Sequence, residues 1–196
     1  MIDLYYPTDN VPLFPRPSVD HPGKAVPGSA EMLPLVTPDG VVFGRASREW
    51  CHGGSRELHP VVHLFIADRE GNVLLQKRAS WKETYPGAWD MSAGGHVTFG
   101  ESALETVYRE AEEELGLVGF TPLYLFSRLD ERETERELSV AYAVIGRPAL
   151  GNWGSEVEQC RWWSIPEIEA QMGKGVFTPV FEAEWPLVKE KLASLL

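Results

Sequence analysis

The chain is short of cysteine, of long apolar runs and of basic residues. Two cysteines, Cys51 and Cys160, cannot build a disulfide framework, so reduced thiols in a cytosolic protein are expected. No run of 18 apolar residues occurs, and no membrane span is expected. The start, MIDLYYPTDN, has neither the basic nor the apolar region of a secretory signal, so the expected location is cytoplasmic. Eighteen Lys and Arg stand against 29 Asp and Glu, a formal net charge of −11. That balance argues against a broad surface for a nucleic-acid polymer or an anionic membrane, since either needs a field of basic side chains. A local anion site stays open, because a divalent cation inverts the sign of a small acidic patch.

What is present fits one domain. The 196 residues are 43% hydrophobic, enough for a real core. Eight of the 15 prolines fall in the first 38 residues. Proline fixes φ and removes a donor, so residues 1–30 read as an extended arm and 31–196 as the folded domain. Leu4, Tyr5, Tyr6, Leu13 and Phe14 give the arm apolar anchors. MLPLV, the turn TPDG and VVFGRA read as a hairpin. PVVHLFIA, the turn DREGN and VLLQKR read as a second. The segment 80–100 reads as a loop. A helix is predicted from about Ser102 to Leu115, stopped by Gly116. Strand-like segments follow near 121–128, 138–146 and 160–164, and helices near 166–172 and 179–195. Strands and helices interleave irregularly, as in a mixed sheet covered by helices.

On the predicted helix, 100° per residue places Glu113 about 60° behind Glu110 and Glu114 about 40° ahead of it. The three carboxylates share one edge beside the apolar stripe Val107, Ala111 and Leu115. Like charges at i, i+3 and i+4 repel, and a hard divalent cation with oxygen ligands is the natural offset. A charge run on a lone helix is ordinarily a solvated face. This helix has a context: Gly95, Glu101, Arg109, Glu110, Glu113, Glu114 and Gly116 stand as G-x5-E-x7-R-E-[apolar]-x-E-E-x-G-[apolar]. Seven such residues coincide by chance on the order of once in 10⁸ placements. The segment resembles the Nudix box in full. The resemblance implies a Nudix fold, an α/β/α sandwich with a mixed β-sheet. It implies Mg²⁺ (or Mn²⁺) held by Glu110, Glu113 and Glu114, with Arg109 orienting them, Glu101 supporting the loop and Gly95 shaping it. It implies hydrolysis of a small-molecule diphosphate, with Glu113 or Glu114 as the base.

Over roughly residues 32–185 the chain also resembles one branch of that superfamily, type I isopentenyl-diphosphate isomerase. His52, His59, His96, Glu135 and Glu137 match that branch's metal site, which implies a second divalent metal. Arg78 and Lys82 match its diphosphate-binding pair, and Arg48 another basic contact. Gly94 stands where the isomerase has a reactive Cys, and Ser92 is the nearest side chain with a proton to give. Gly175, before Phe177-Thr178-Pro179, stands where it has a Trp. Isomerisation needs a proton donor and a base on opposite faces of an alkene, and the residues suited to that task are missing. The hydrolytic glutamates are kept, so a pyrophosphohydrolase is the preferred reading. The isomerase and a non-catalytic diphosphate-sensing module are the alternatives. Candidate base-stacking aromatics are Trp50, Trp81, Tyr85, Trp89 and Trp153; each is more often a packing residue. One of Trp162 and Trp163 is expected to face the core, and Glu156 and Glu158 are candidates for an accessory ligand or base. The arm leaves a homodimer open.

Overall fold

A turn closed by its own side chains follows the first long strand. Thr37 Oγ1 donates to Asp39 (2.6 Å) and accepts from the Val41 amide (3.1 Å), with Gly40 at φ +86°. This joins the first predicted hairpin. The computed structural model describes residues 4–7, 12–14 and 31–196, with backbone alone at Leu13. The expected arm therefore lies largely outside the described residues. Of its described pieces, Tyr5 bridges Val41 on the hairpin, and Tyr6 Oη donates to the Glu101 carbonyl at 3.0 Å.

In chain order the elements are β1 (Leu13–Phe14), β2 (Met32–Val36), β3 (Val42–Ser47), α1 (Arg48–Trp50) and a π-helical turn (Cys51–Ser55). Then come β4 (Leu58–Ala67), β5 (Asn72–Arg78), β6 (Trp89–Asp90), β7 (Ala93–His96) and α2 (Ala103–Leu115). The chain ends with β8 (Leu123–Glu131), β9 (Arg136–Ile145), β10 (Val157–Ser164), α3 (Ile165–Gln171) and α4 (Pro179–Ala193). One sheet has the order β1-β3-β2, with β1 parallel and β2 antiparallel to β3. The other runs β10-β5-β4-β9-β8, with β6 on β5 and β7 on β4. Both predicted hairpins are present. The second turn is held by Asp68, which accepts from the amides of Glu70 and Asn72.

Two short strands occupy the segment read as a loop. β6 sets Asp90 opposite Gln76, and Ser92 Oγ donates to the Leu74 carbonyl (2.6 Å) and accepts from the Ile66 amide (2.8 Å). Strands of two and four residues carry no readable alternation, so pairing partners far in sequence decide them.

The chain forms two compact units from interleaved segments. One takes the described residues of 1–62, Gly95–Thr106 and Phe126–Val140. Its core includes Leu33, Leu35, Ala46 and Cys51, with Phe14 against them. The other takes His63–Gly94, Val107–Leu125 and Ala141–Leu196. There Phe65, Phe177 and Trp185 each pack on Phe181, and Trp163 packs on Phe177. Trp163 is thus the core-facing member of its pair, while Arg147 covers Trp162. No helix among the described residues is long and apolar enough to cross a membrane.

Helix α2 forms where its local signals place it. Ser102 and Glu105 make a reciprocal cap: Oγ accepts the Glu105 amide (3.2 Å) and the carboxylate accepts the Ser102 amide (2.8 Å). Val107, Ala111 and Leu115 are buried as predicted. Gly116 ends the helix at φ +59°, and a Cβ there would stand 2.7 Å from the Gly151 Cα. Gly116→Ala is expected to cost about 2–4 kcal/mol, because the strained φ and a backbone clash add. Urea unfolding would show a lower midpoint at unchanged slope; a shift below about 0.5 kcal/mol would contradict this.

Candidate active site and candidate metal centre

The second unit carries the glutamates of α2. Arg109 Nη1 donates to Glu110 Oε1 (2.6 Å) and to Glu113 Oε2 (3.3 Å), so one guanidinium gathers two carboxylates. Glu113 points outward, its side chain 61% exposed. Glu114 turns the other way and is only 9% exposed. It therefore joins the buried stripe rather than the stripe's edge. Its Oε2 accepts from Gln76 Nε2 on β5 (2.9 Å) and from the Gly94 amide on β7 (2.9 Å). Burial pushes the Glu114 carboxyl up to about 8, and burial also raises Glu110 against the pull of Arg109.

That shift has a sign that can be checked. A group that holds its proton more tightly when folded contributes stability in full below its ordinary value, 4.5, and loses it as pH rises through about 8. Metal-free protein should lose this contribution progressively between about pH 4.5 and about pH 8 and level off above it. Glu114→Gln should flatten that slope, and equal slopes in melting curves of the two proteins would contradict the assignment.

The basic residues read as a diphosphate pair have partners already. Arg78 donates to the Thr84 carbonyl (3.1 and 3.0 Å) and hydroxyl (3.1 Å) and lies 3.5 Å from Asp90. Lys82 pairs with Glu156, and Lys77 with Glu158 at 2.6 Å. Glu156 is near enough to raise Glu110 and Glu114 further, which separates it from Glu158. Trp81, Tyr85 and Trp153 are exposed, whereas Trp89 packs edge-on against Trp163.

The first unit carries the imidazoles of His52, His59 and His96. Ser47 caps α1, which leads into the π-helical turn that holds His52. Gly54 at φ +89° and Arg56 at φ 56° turn the chain back into β4, where His59 lies. His96 ends β7, and Glu137 lies on β9. One ligand atom from each of His52, His59, His96 and Glu137 lies within 4.8 Å of every other. His52 Nε2 and His96 Nε2 are 2.9 Å apart. Glu137 Oε1 is 3.7 Å from His96 Nε2 and 3.9 Å from His59 Nε2.

His59 supplies the sharpest observation. It is fully buried; its Nδ1 sits 3.0 Å from the Glu57 carbonyl, which fixes Nδ1 as the donor. Nε2 is then an acceptor, and it has no hydrogen-bond partner. Such a buried lone pair is costly unless something fills it. Burial pulls His59 down to about 4, and burial also lowers His96, so both rings keep lone pairs at neutral pH. Burial alone would raise Glu137, but hydrogen bonding with His96 and the Arg132 charge outweigh it and hold the carboxylate near 2. Three imidazoles and an ionised carboxylate converging on a buried lone pair fit a divalent ion.

Glu135 stands outside that set of four. Its Oε2 lies 2.9 Å from His52 Nδ1, where it orients the ring from behind. Arg48 pairs with Glu31 at 3.0 Å, and its charge lowers His96 further. Ser92 is fully buried and its hydroxyl is shared by two backbone groups, so it is no available proton donor. Gln76, Arg56 and Arg132 were not among the sequence candidates. A glutamine inside the apolar run VLLQKR was a readable signal, whereas Arg132 is hidden in an alternating charge run.

A mixed sheet with helices carries this acidic helix, an α/β architecture that the family match makes a hydrolase acting on phosphorus-containing acid anhydrides. The chain belongs to the NUDIX domain family, whose model matches residues 57–181. It is 32% identical over 153 residues to the uncharacterised Nudix hydrolase YfcD of Salmonella typhi, covering 77% of this chain and 80% of that one. It is 39% identical over 95 residues to an isopentenyl-diphosphate Delta-isomerase of Mycolicibacterium vanbaalenii, covering 48% of this chain and 52% of the isomerase. Among solved structures, DR0079 of Deinococcus radiodurans shares the fold at TM-score 0.65 and 24% identity, covering 76% of this chain and 92% of that one.

Proposed function

We propose that the chain is a metal-dependent pyrophosphohydrolase acting on the diphosphate linkage of a nucleoside-diphosphate-type small molecule. The observation that supports it most is the α2 cluster, in which Arg109 gathers Glu110 and Glu113 while Gln76 and Gly94 fix Glu114. Glu110, Glu113 and Glu114 would hold Mg²⁺ or Mn²⁺. Such an ion would supply charge neutralisation for the phosphates and activation of the attacking water. Of the two glutamates open as base, Glu113 faces solvent and Glu114 is buried and doubly hydrogen-bonded, so the proton from water goes to Glu113. Lys82 would exchange Glu156 for a substrate phosphate, with Arg78 as the second basic contact on the same unit, while Arg48 is kept as a basic contact by the resemblance alone. His52, His59, His96 and Glu137 would hold a second divalent ion, with Glu135 orienting His52.

The imidazole cluster favours the isomerase as the second reading. Gly94, Gly175 and the tied hydroxyl of Ser92 speak against it, because no side chain at these places can protonate an alkene. The same proposal sets the protein in the cytoplasm, with 31–196 as the catalytic domain and the arm as the segment a homodimer would exchange. A panel of diphosphates incubated with Mg²⁺ or Mn²⁺ tests the reading. Release of a monophosphate from a nucleoside-diphosphate-linked compound is expected. Turnover of isopentenyl diphosphate alone would overturn it.

A further inference from the structure

We propose that Arg132 is a built-in counter-cation of the imidazole–carboxylate cluster, competing with a divalent ion for Glu137 and so setting how tightly that ion is held. The inference rests on reading His52, His59, His96 and Glu137 as a metal site.

Arg132 lies in the segment between β8 and β9. Its Nη2 pairs with Glu137 Oε2, its Nη1 stands 2.8 Å from Glu135, and its Nε 3.5 Å from Asp130. The two oxygens of Glu137 are therefore divided. Oε2 is committed to the guanidinium, while Oε1 faces His59 and His96. An ion entering among the imidazoles meets one carboxylate oxygen, and taking both requires the guanidinium to leave. A guanidinium is charged at every accessible pH, so proton loss cannot relieve the competition.

The main chain at Arg132 is pinned. Arg56 Nη1 donates to the carbonyls of Arg132 (2.8 Å) and Glu133 (3.0 Å), which fastens this segment to the end of the turn that carries His52. The Arg132 side chain, in contrast, is 27% exposed and has water to swing into. The backbone is fixed and the charge is movable.

Two effects oppose each other when the guanidinium is removed. Repulsion of a nearby divalent ion disappears, which tightens binding. Glu137 also loses a contact that holds it, which loosens binding. Glu137 is buried on β9, so its surroundings confine it without Arg132 and the charge effect wins.

The test is titration of metal-free protein with Zn²⁺ against a chromophoric chelator at low ionic strength. Wild type, R132Q, R132K and H59Q are compared, with near-UV circular dichroism to confirm folding. Wild type should bind one equivalent that H59Q loses. R132Q should bind that equivalent on the order of tenfold tighter, and R132K, which keeps the charge, within about threefold of wild type. A folded R132Q with unchanged or weaker binding would overturn the inference, and so would equal tightening in R132K and R132Q. If wild type has no H59Q-sensitive equivalent, the metal-site reading itself fails, a result distinct from a failure of Arg132 alone.

Discussion

Glu113→Gln is expected to lower kcat/KM for Mg²⁺-dependent diphosphate cleavage on the order of 10³-fold, with a melting temperature within about 2 °C of wild type. The asymmetry follows from position. Glu113 is exposed and its named contact is the 3.3 Å one to Arg109, so the fold loses little. Gln keeps the size and removes the charge that would hold the ion and accept a proton from water. The loss should fall mainly on kcat, because developing charge at the phosphorus centre is what the ion and base stabilise. Full turnover in Glu113→Gln would show that the base and metal assignments on α2 are wrong.

The second large effect belongs to the imidazoles. A His52→Ala/His59→Ala double substitution should remove about one equivalent of bound divalent metal per chain, leaving any ion on α2 in place. Losing a group that only orients a ligand costs about 10–100-fold in metal affinity, so deleting two ligands should exceed that. Elemental analysis after gel filtration is the readout. Unchanged content and affinity would return both histidines to a structural role, leaving the partnerless Nε2 of His59 without an account.

Much of this was legible in the residues. The start near Ser102, the stripe Val107–Ala111–Leu115 and the stop at Gly116 are local signals, and local signals decided α2. The edge of glutamates followed from helical geometry alone. The burial of Glu114 did not, because a helical wheel knows nothing of Gln76 and Gly94 closing over it from two strands. β6 and β7 escaped for the same reason: their pairing is tertiary. The resemblance to the isomerase branch implied Glu135 and Glu137 as equal ligands. The structure divides them, since Glu135 lies just before β9 and reaches His52 from behind, while Glu137 on the strand faces His59 and His96. Ser92 looked like a spare proton donor in sequence and is a tie between two backbone groups in the fold.

The central claim is that the acidic helix makes this chain a hydrolase rather than an isomerase. Phosphorus and proton NMR on one tube decides it most directly. The tube contains wild-type protein, Mg²⁺, isopentenyl diphosphate and a nucleoside-diphosphate-linked compound. The account predicts that the linked diphosphate resonances give way to monophosphates while the isopentenyl double bond stays in place. Intact diphosphates together with a growing allylic signal would contradict it.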